Sequence, residues 1–384
     1  MKKLLFMFLA IAFAGTTLIA QKVDKAETLK ERDALNGFDE GWTIGTGFGL
    51  TLDQAAVWQP RAGAGDNSFK FGGLGNIQAT YKAGRFIWDN AGSLQLNFQR
   101  IGRNTGNLPF QKSLDELRLN SRPGYAITTD EKWYAALDFG FVSQLLSTYL
   151  GNYLNEFEGI DPTLRDGFAN LNDQNLLSSI FAPATITLSP GVDWKPNTNF
   201  SLFFSPAALK LVVVANDDIA KIGAINRKDD GTVEYLGSLN GNPHDRDMVT
   251  FDEATNNYII PDEAVENVTR ALGALARAKY NNTFLEDRIS FSSELNLYYD
   301  YLNGANADKN LPTVDWLTTT TFNIFKGIGV TLKTGAYYDY TKPVSSDWRD
   351  VDGVYGYRGT KRGVMFTETL ALTYSRVFGA KSAE

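Results

Sequence analysis

From about residue 40 onward, apolar and polar side chains alternate with a period of two over stretches longer than ordinary globular strands. Asp287 to Leu302 shows it most cleanly. Ile289, Phe291, Leu295, Leu297, Tyr299 and Tyr301 share one parity, and Ser290, Ser292, Glu294, Asn296, Tyr298 and Asp300 share the other. A strand with those two faces separates an apolar medium from a polar one. The same alternation places Trp133, Leu137 and Phe139 opposite Tyr134 and Asp138, and Leu94, Leu96 and Phe98 opposite Gln95 and Asn97. Twelve strands are expected, near 41–52, 69–83, 88–102, 114–122, 131–145, 183–195, 199–213, 268–281, 286–302, 312–325, 328–342 and 363–378.

The connections between these strands alternate strictly between long and short. The short ones carry turn chemistry, as in Lys82-Ala83-Gly84-Arg85, Lys195-Pro196-Asn197 and Lys326-Gly327. The two longest lie near 146–182 and 214–267. Short turns at one end and long loops at the other are the pattern of an outer-membrane β-barrel, and an even strand count puts both termini on the periplasmic side. No window reaches 18 consecutive apolar residues, so a membrane-embedded form of this chain must be a closed barrel, which alone satisfies its backbone hydrogen bonds without helices.

The first 20 residues read as a secretory signal peptide. Lys2 and Lys3 precede an apolar run from Leu4 to Ala14, and a small-residue cleavage site ends at Ala20. Residues 21–39 form a charged periplasmic lead-in, and residues 40–384 form the barrel.

Several segments resemble a family of Bacteroidota outer-membrane-type barrels of unknown function. They include Gly41-Trp42-Thr43-Ile44-Gly45-Thr46-Gly47, Tyr81-Lys82-Ala83-Gly84-Arg85-Phe86-Ile87-Trp88-Asp89-Asn90 and Leu188-Ser189-Pro190-Gly191-Val192-Asp193-Trp194-Lys195-Pro196. Others are Leu117 to Tyr125, Lys132 to Leu137 and Leu272 to Tyr280. The resemblance implies the barrel fold and an outer-membrane address, and carries no activity or site.

Composition narrows the chemistry. Among 384 residues there are no cysteines and one histidine, with a net charge of −7 and 13% aromatic residues. That excludes disulfides, thiolate metal sites, a cysteine nucleophile and poly-histidine centres, and the acidic balance argues against nucleic-acid binding. Gly45, Gly47 and Gly49 lack the following helix that a nucleotide fingerprint needs, and fit a crowded or curved strand. His244, within Asn242-Pro243-His244-Asp245-Arg246-Asp247, is the one residue on which an outer-membrane hydrolase of protease or phospholipase type would rest, against an ordinary solvated loop histidine. Asp245, Asp247, Asp252 and Glu253 offer oxygen ligands but not the glycine of a calcium loop.

If the apolar parity faces lipid, the polar parity faces a lumen. The lumen-facing candidates are Lys82, Glu116, Arg118, Asp138, Arg270, Arg277, Lys279, Glu294, Asp300, Lys333 and Asp339. They could form opposed patches across an open pore or pair across a restricted one, and the second arrangement is favoured, with long loops over the mouth. Rings near strand ends, among them Trp133, Tyr299, Trp316 and Tyr338, suit headgroup-level girdles, and Phe378 resembles the terminal aromatic read by barrel-assembly machinery.

The chain is therefore expected to be an all-β, twelve-stranded transmembrane antiparallel barrel in a Gram-negative outer membrane, with its loops at the cell surface. Its expected role is a narrow or gated channel, transport or structural barrel for small polar solutes, with no catalytic, cofactor or metal residues. Its partners would be the lipid bilayer, the Sec and barrel-assembly machineries and a small polar solute. The alternatives are the His244 hydrolase and a soluble secreted β-rich binding module.

Overall fold

The computed structural model describes residues 40–55, 68–101, 109–160, 162–197, 199–228, 231–285, 288–302, 312–325, 328–338, 344–345, 348–351, 354–357, 360–361 and 364–381. The expected signal peptide and lead-in, and Asp339 and Tyr340, lie outside the described residues.

Twelve antiparallel strands close into one barrel. They are β1 (Gly41–Ala55), β2 (Ser68–Ala83), β3 (Phe86–Ile101), β4 (Gln111–Ala126), β5 (Trp133–Ser143) and β6 (Ala184–Asn197). The second half comprises β7 (Phe200–Val213), β8 (Val268–Phe284), β9 (Ile289–Asp300), β10 (Thr313–Phe325), β11 (Ile328–Tyr338) and β12 (Met365–Lys381). Each strand pairs with its neighbours in sequence, and β12 returns to pair with β1 through Thr43↔Lys381 to Leu52↔Leu372, which removes every free edge.

The expected strands all appear, with one boundary that matters. Pro123-Gly124 marks a stop in sequence, yet β4 continues to Ala126. Pro123 sits opposite Trp88 of β3, while on the β5 side the register skips from Ser121↔Phe139 to Gly124↔Ala136. A residue without an N–H is tolerated where the ladder is already interrupted.

The outer face is apolar. Ile44, Phe48, Leu50, Ile77, Leu137, Phe139 and Leu188 are all exposed on the outward parity. Rings gather at both ends of this band. Trp42 stacks near Tyr81 and Trp88, and Trp133 lies 5.6 Å from Trp194, all at the short-turn end. Phe71, Phe98 and Phe110 cluster at the loop end, as do Tyr299 and Tyr301. Indole N–H groups in this band find partners: Trp88 Nε1 donates to Ser121 Oγ and Trp316 Nε1 to Ser293 Oγ, both at 2.9 Å.

The two longest loops, 144–183 and 214–267, fold together above the barrel. Phe168–Ala169 of the first adds a strand to the Gly223–Arg227 and Val233–Ser238 pair of the second. Ala169, Ile225, Ile260 and Ala264 form a core between them, with Val233, Tyr235 and Tyr258 packed against it. A second cluster joins Ala182 of the first loop to Val214, Ile219 and Ala220 of the second. The first loop is also anchored to β4: Asp115 accepts from the backbone of Leu145 and Leu146 at 2.9 and 2.7 Å, and pairs with buried Lys112 at 2.8 Å.

Candidate functional site in the barrel lumen

The polar parity turns inward, and its charges meet. Asp138 on β5 is fully buried and accepts Arg122 Nε of β4 at 2.8 Å and Asn120 Nδ2 at 3.1 Å. Its other oxygen faces Arg277 Nη1 of β8 at 3.4 Å. Two strands, β6 and β7, separate β5 from β8 around the wall, so this contact reaches across the interior. It establishes which face is the lumen.

Arg122 and Arg277 extend the contact in both directions. Arg122 Nη1 lies 3.3 Å from Asp193 on β6, whose carboxylate is 3.3 Å from Lys195 Nζ, which in turn is 3.5 Å from Asp89 on β3. Arg277 Nε is 3.8 Å from Glu294 on β9, and Glu294 is 3.5 Å from Lys279 on β8. The result is one chain of eight side chains: Asp89, Lys195, Asp193, Arg122, Asp138, Arg277, Glu294 and Lys279. Anion and cation alternate along it, four of each. Asn296 braces its far end, accepting Arg277 Nε at 2.7 Å and donating to Glu294 at 2.9 Å. Arg122 also lies 4.9 Å from the ring of Phe203, which packs with Leu275 and Ala208 behind the chain.

A cavity of about 350 Å³ adjoins this chain. Gln78, Ser93, Asn120, Thr185 and Thr187 line it together with Arg118, Arg277, Lys279 and Glu294. Arg118 grips Glu116 with two bonds of 2.5 and 2.8 Å.

Six of the seven remaining candidates can now be placed. Lys82 faces Glu131 at 3.3 Å, at the turn end. Glu116 and Arg118 form the separate pair just described. Asp300 sits opposite Gly273 on the inward parity near the loop end, and Lys333 pairs in register with Thr319 and Thr369 on that parity. Asp339 lies outside the described residues. Arg270 is a correction: it sits opposite Leu211 and shares the outward parity of exposed Leu272, at the loop-end rim. It is seven residues from Arg277, an odd number, so the two point to opposite faces of an unbroken strand. Asp89, Arg122, Asp193 and Lys195 were missed. Parity carried the signal for Asp89, Asp193 and Lys195, which alternate with outward Trp88, Val192 and Trp194, whereas Arg122 stands between Ser121 and Pro123.

Residues 52–149 match the model of a family described as "Protein of unknown function (DUF3078)". No curated protein matches the chain. Among solved structures, the chain is similar to the COG4313 outer membrane channel from Pseudomonas putida F1, at 12% identity over 89% of this chain and 97% of that one, with a TM-score of 0.32. It is also similar to the translocator domain of autotransporter NalP from Neisseria meningitidis, at 10% identity over 88% and 90% of the two chains and a TM-score of 0.32. A Pseudomonas aeruginosa FadL homologue matches at 12% identity, over 88% of each chain, with a TM-score of 0.28.

His244 lies in the loop assembly and is occupied on both sides. Its Nε2–H donates to Ala220 O at 2.7 Å, which leaves Nδ1 to accept from the Tyr235 hydroxyl. Burial holds the imidazole below its ordinary pKa, only partly offset by the bond to Ala220, and burial pushes Tyr235 up to about 12. No carboxylate orients the ring, and both nitrogens serve to join the two faces of the loop core. The acidic residues nearby do not converge. Asp245 accepts Asp247 N, and Asp252 closes a turn by accepting Ala254 N and the Thr255 hydroxyl. Among the described residues no group of three or more His, Asp or Glu is placed to hold a metal ion.

Proposed function

We propose that this protein is an outer-membrane channel of restricted bore for small polar solutes. The observation that carries the reading is the eight-member ion-pair chain, which links β5 to β8 through the interior with a cavity of about 350 Å³ beside it. The apolar outer band with rings at both ends supports membrane insertion. In this reading the signal peptide is cleaved after Ala20 during Sec export, the assembly machinery reads the strand ending near Phe378, and the loop assembly stands at the cell surface above periplasmic termini. The segments shared with Bacteroidota barrels of unknown function support that affiliation.

The test is reconstitution of the purified barrel in planar bilayers. Wild type is expected to show small unitary conductance, and Asp138→Ala/Arg277→Ala, which removes the central link, a larger one. Absence of conductance from both proteins at any voltage defeats the channel reading. Surface proteolysis of intact cells within 214–267 checks the orientation.

A further inference from the structure

We infer that the solute is uncharged, hydroxyl-rich and of monosaccharide size, and that it passes between the ion-pair chain and the wall facing it. This rests on the channel reading above and specifies its cargo.

The lumen has two unlike walls. The strands β3 to β9 carry the eight-member chain and the Arg118–Glu116 pair, in which each cation already faces a carboxylate within 3.8 Å. Charges balanced in this way present little net field to a passing ion. The opposite wall, β10 to β12 with β1 and β2, is built differently. The register puts Gly49, Gly329 and Gly335 on its inward parity, where they take up almost no bore. Thr319, Thr321 and Thr331 occupy inward positions between them. Among the described side chains of this wall the inward charges are Lys70, Lys82 and Asp315. Lys82 already faces Glu131, and the remaining base and acid offset each other, so this wall too is balanced.

A charged solute entering such a lumen loses hydration that no net fixed charge replaces. A polyol exchanges its water bonds for hydroxyl and amide bonds at little net cost. The cavity offers those groups in Gln78, Ser93, Asn120 and Thr187, and its volume of about 350 Å³ falls at the lower end of small-molecule sites.

Three solutes of one skeleton test this: glucose, gluconate and glucosamine, the last a cation at pH 6. Uptake into proteoliposomes is expected to be about tenfold faster for glucose than for either ion, with the two ions within about threefold of each other. Gluconate or glucosamine entering as fast as glucose overturns the inference and leaves a channel of another selectivity. Exclusion of all three by a barrel that conducts in planar bilayers overturns the inference alone, and exclusion together with absent conductance defeats the channel reading as well. Arg277→Gln and Asp138→Asn unbalance the chain in opposite senses. The first is expected to favour glucosamine over gluconate and the second the reverse; the same ratio in both also overturns the proposal. Gly49→Trp is expected to cut glucose entry several-fold, with heat-dependent gel mobility confirming a folded barrel. Should that variant not fold, Gly335→Leu gives the same readout, and unchanged entry in a folded variant overturns the assigned path.

Discussion

Arg122 holds two carboxylates at once, Asp138 through Nε and Asp193 through Nη1, while its flat guanidinium lies over Phe203. Only a planar fork of fixed donors can do all three. Arg122→Leu leaves both acids buried with fewer partners, and removing one member of a buried pair costs about 3–5 kcal/mol. The variant is expected to lose its heat-resistant folded band at a lower temperature than wild type, and Arg122→Lys to fall between them. His244 makes the opposite kind of contribution, since it is kept neutral. The unfolded chain takes up a proton near the ordinary value of 6.5, whereas the folded loop assembly resists until lower pH. Loop stability is therefore complete above that value and drains away as pH falls through the depressed one. Protease nicking within 214–267 should be faster at pH 5.5 than at pH 7.5 while the barrel stays intact, and His244→Gln should flatten the difference.

At the scale of strands, β6 and β7 are the least regular neighbours. Their register runs to Phe204↔Val192, resumes at Leu209↔Leu188, and skips the stretch that holds Pro190 and Pro206. Side chains repair the break. Ser205 Oγ donates to Pro190 O at 2.7 Å, and the Tyr301 hydroxyl donates to Pro206 O at 2.9 Å. Just beside it the backbones come so close that a Cβ on Gly191 would lie 2.2 Å from Phe204 O. Gly191→Val must push β7 away, which breaks ladder bonds and opens the packing around Phe203. We expect a loss of about 1–3 kcal/mol, seen as a lower midpoint for the gel mobility shift. Strand number and strand face were legible in the sequence because alternation is a local signal. Pro123 was legible only as a candidate strand end, and the interruption at Pro190, inside the expected strand 183–195, was not legible at all. Whether a proline ends a strand or sits in a ladder gap depends on the neighbouring strand, which a single segment does not contain.

For the whole molecule, the two faces of the barrel obey opposite rules. Leu188 points outward from β6 and Thr187 points inward. Leu188→Arg should destabilise the barrel in lipid by about 2–4 kcal/mol if it lies near the midplane, and Thr187→Arg should spare stability while altering conductance. Reversed effects in a urea titration of liposome-folded protein would reject the assigned faces. The inward parity was readable in advance, and it contained Asp138, Arg277, Lys279 and Glu294. Their connection was not. Strand tilt carries Arg277 of β8 toward Asp138, with two strands of wall between them and a separation of 139 residues in sequence. Arg122, the central link, stood at an expected strand end and drew no attention.

The shared core of the two long loops has a mechanical consequence. Loop 144–183 springs from β5 and β6 and is tied down to β4; loop 214–267 springs from β7 and β8. Joined through Ala169 and Gly223, they act as a brace across one arc of the rim, from β4 to β8. A braced arc resists ovalising, so the two loops hold the outline of the mouth from β4 to β8. Spreading β5 from β8 at the rim would have to tear that shared core first, and the loops serve the mouth as a tie-beam serves an arch.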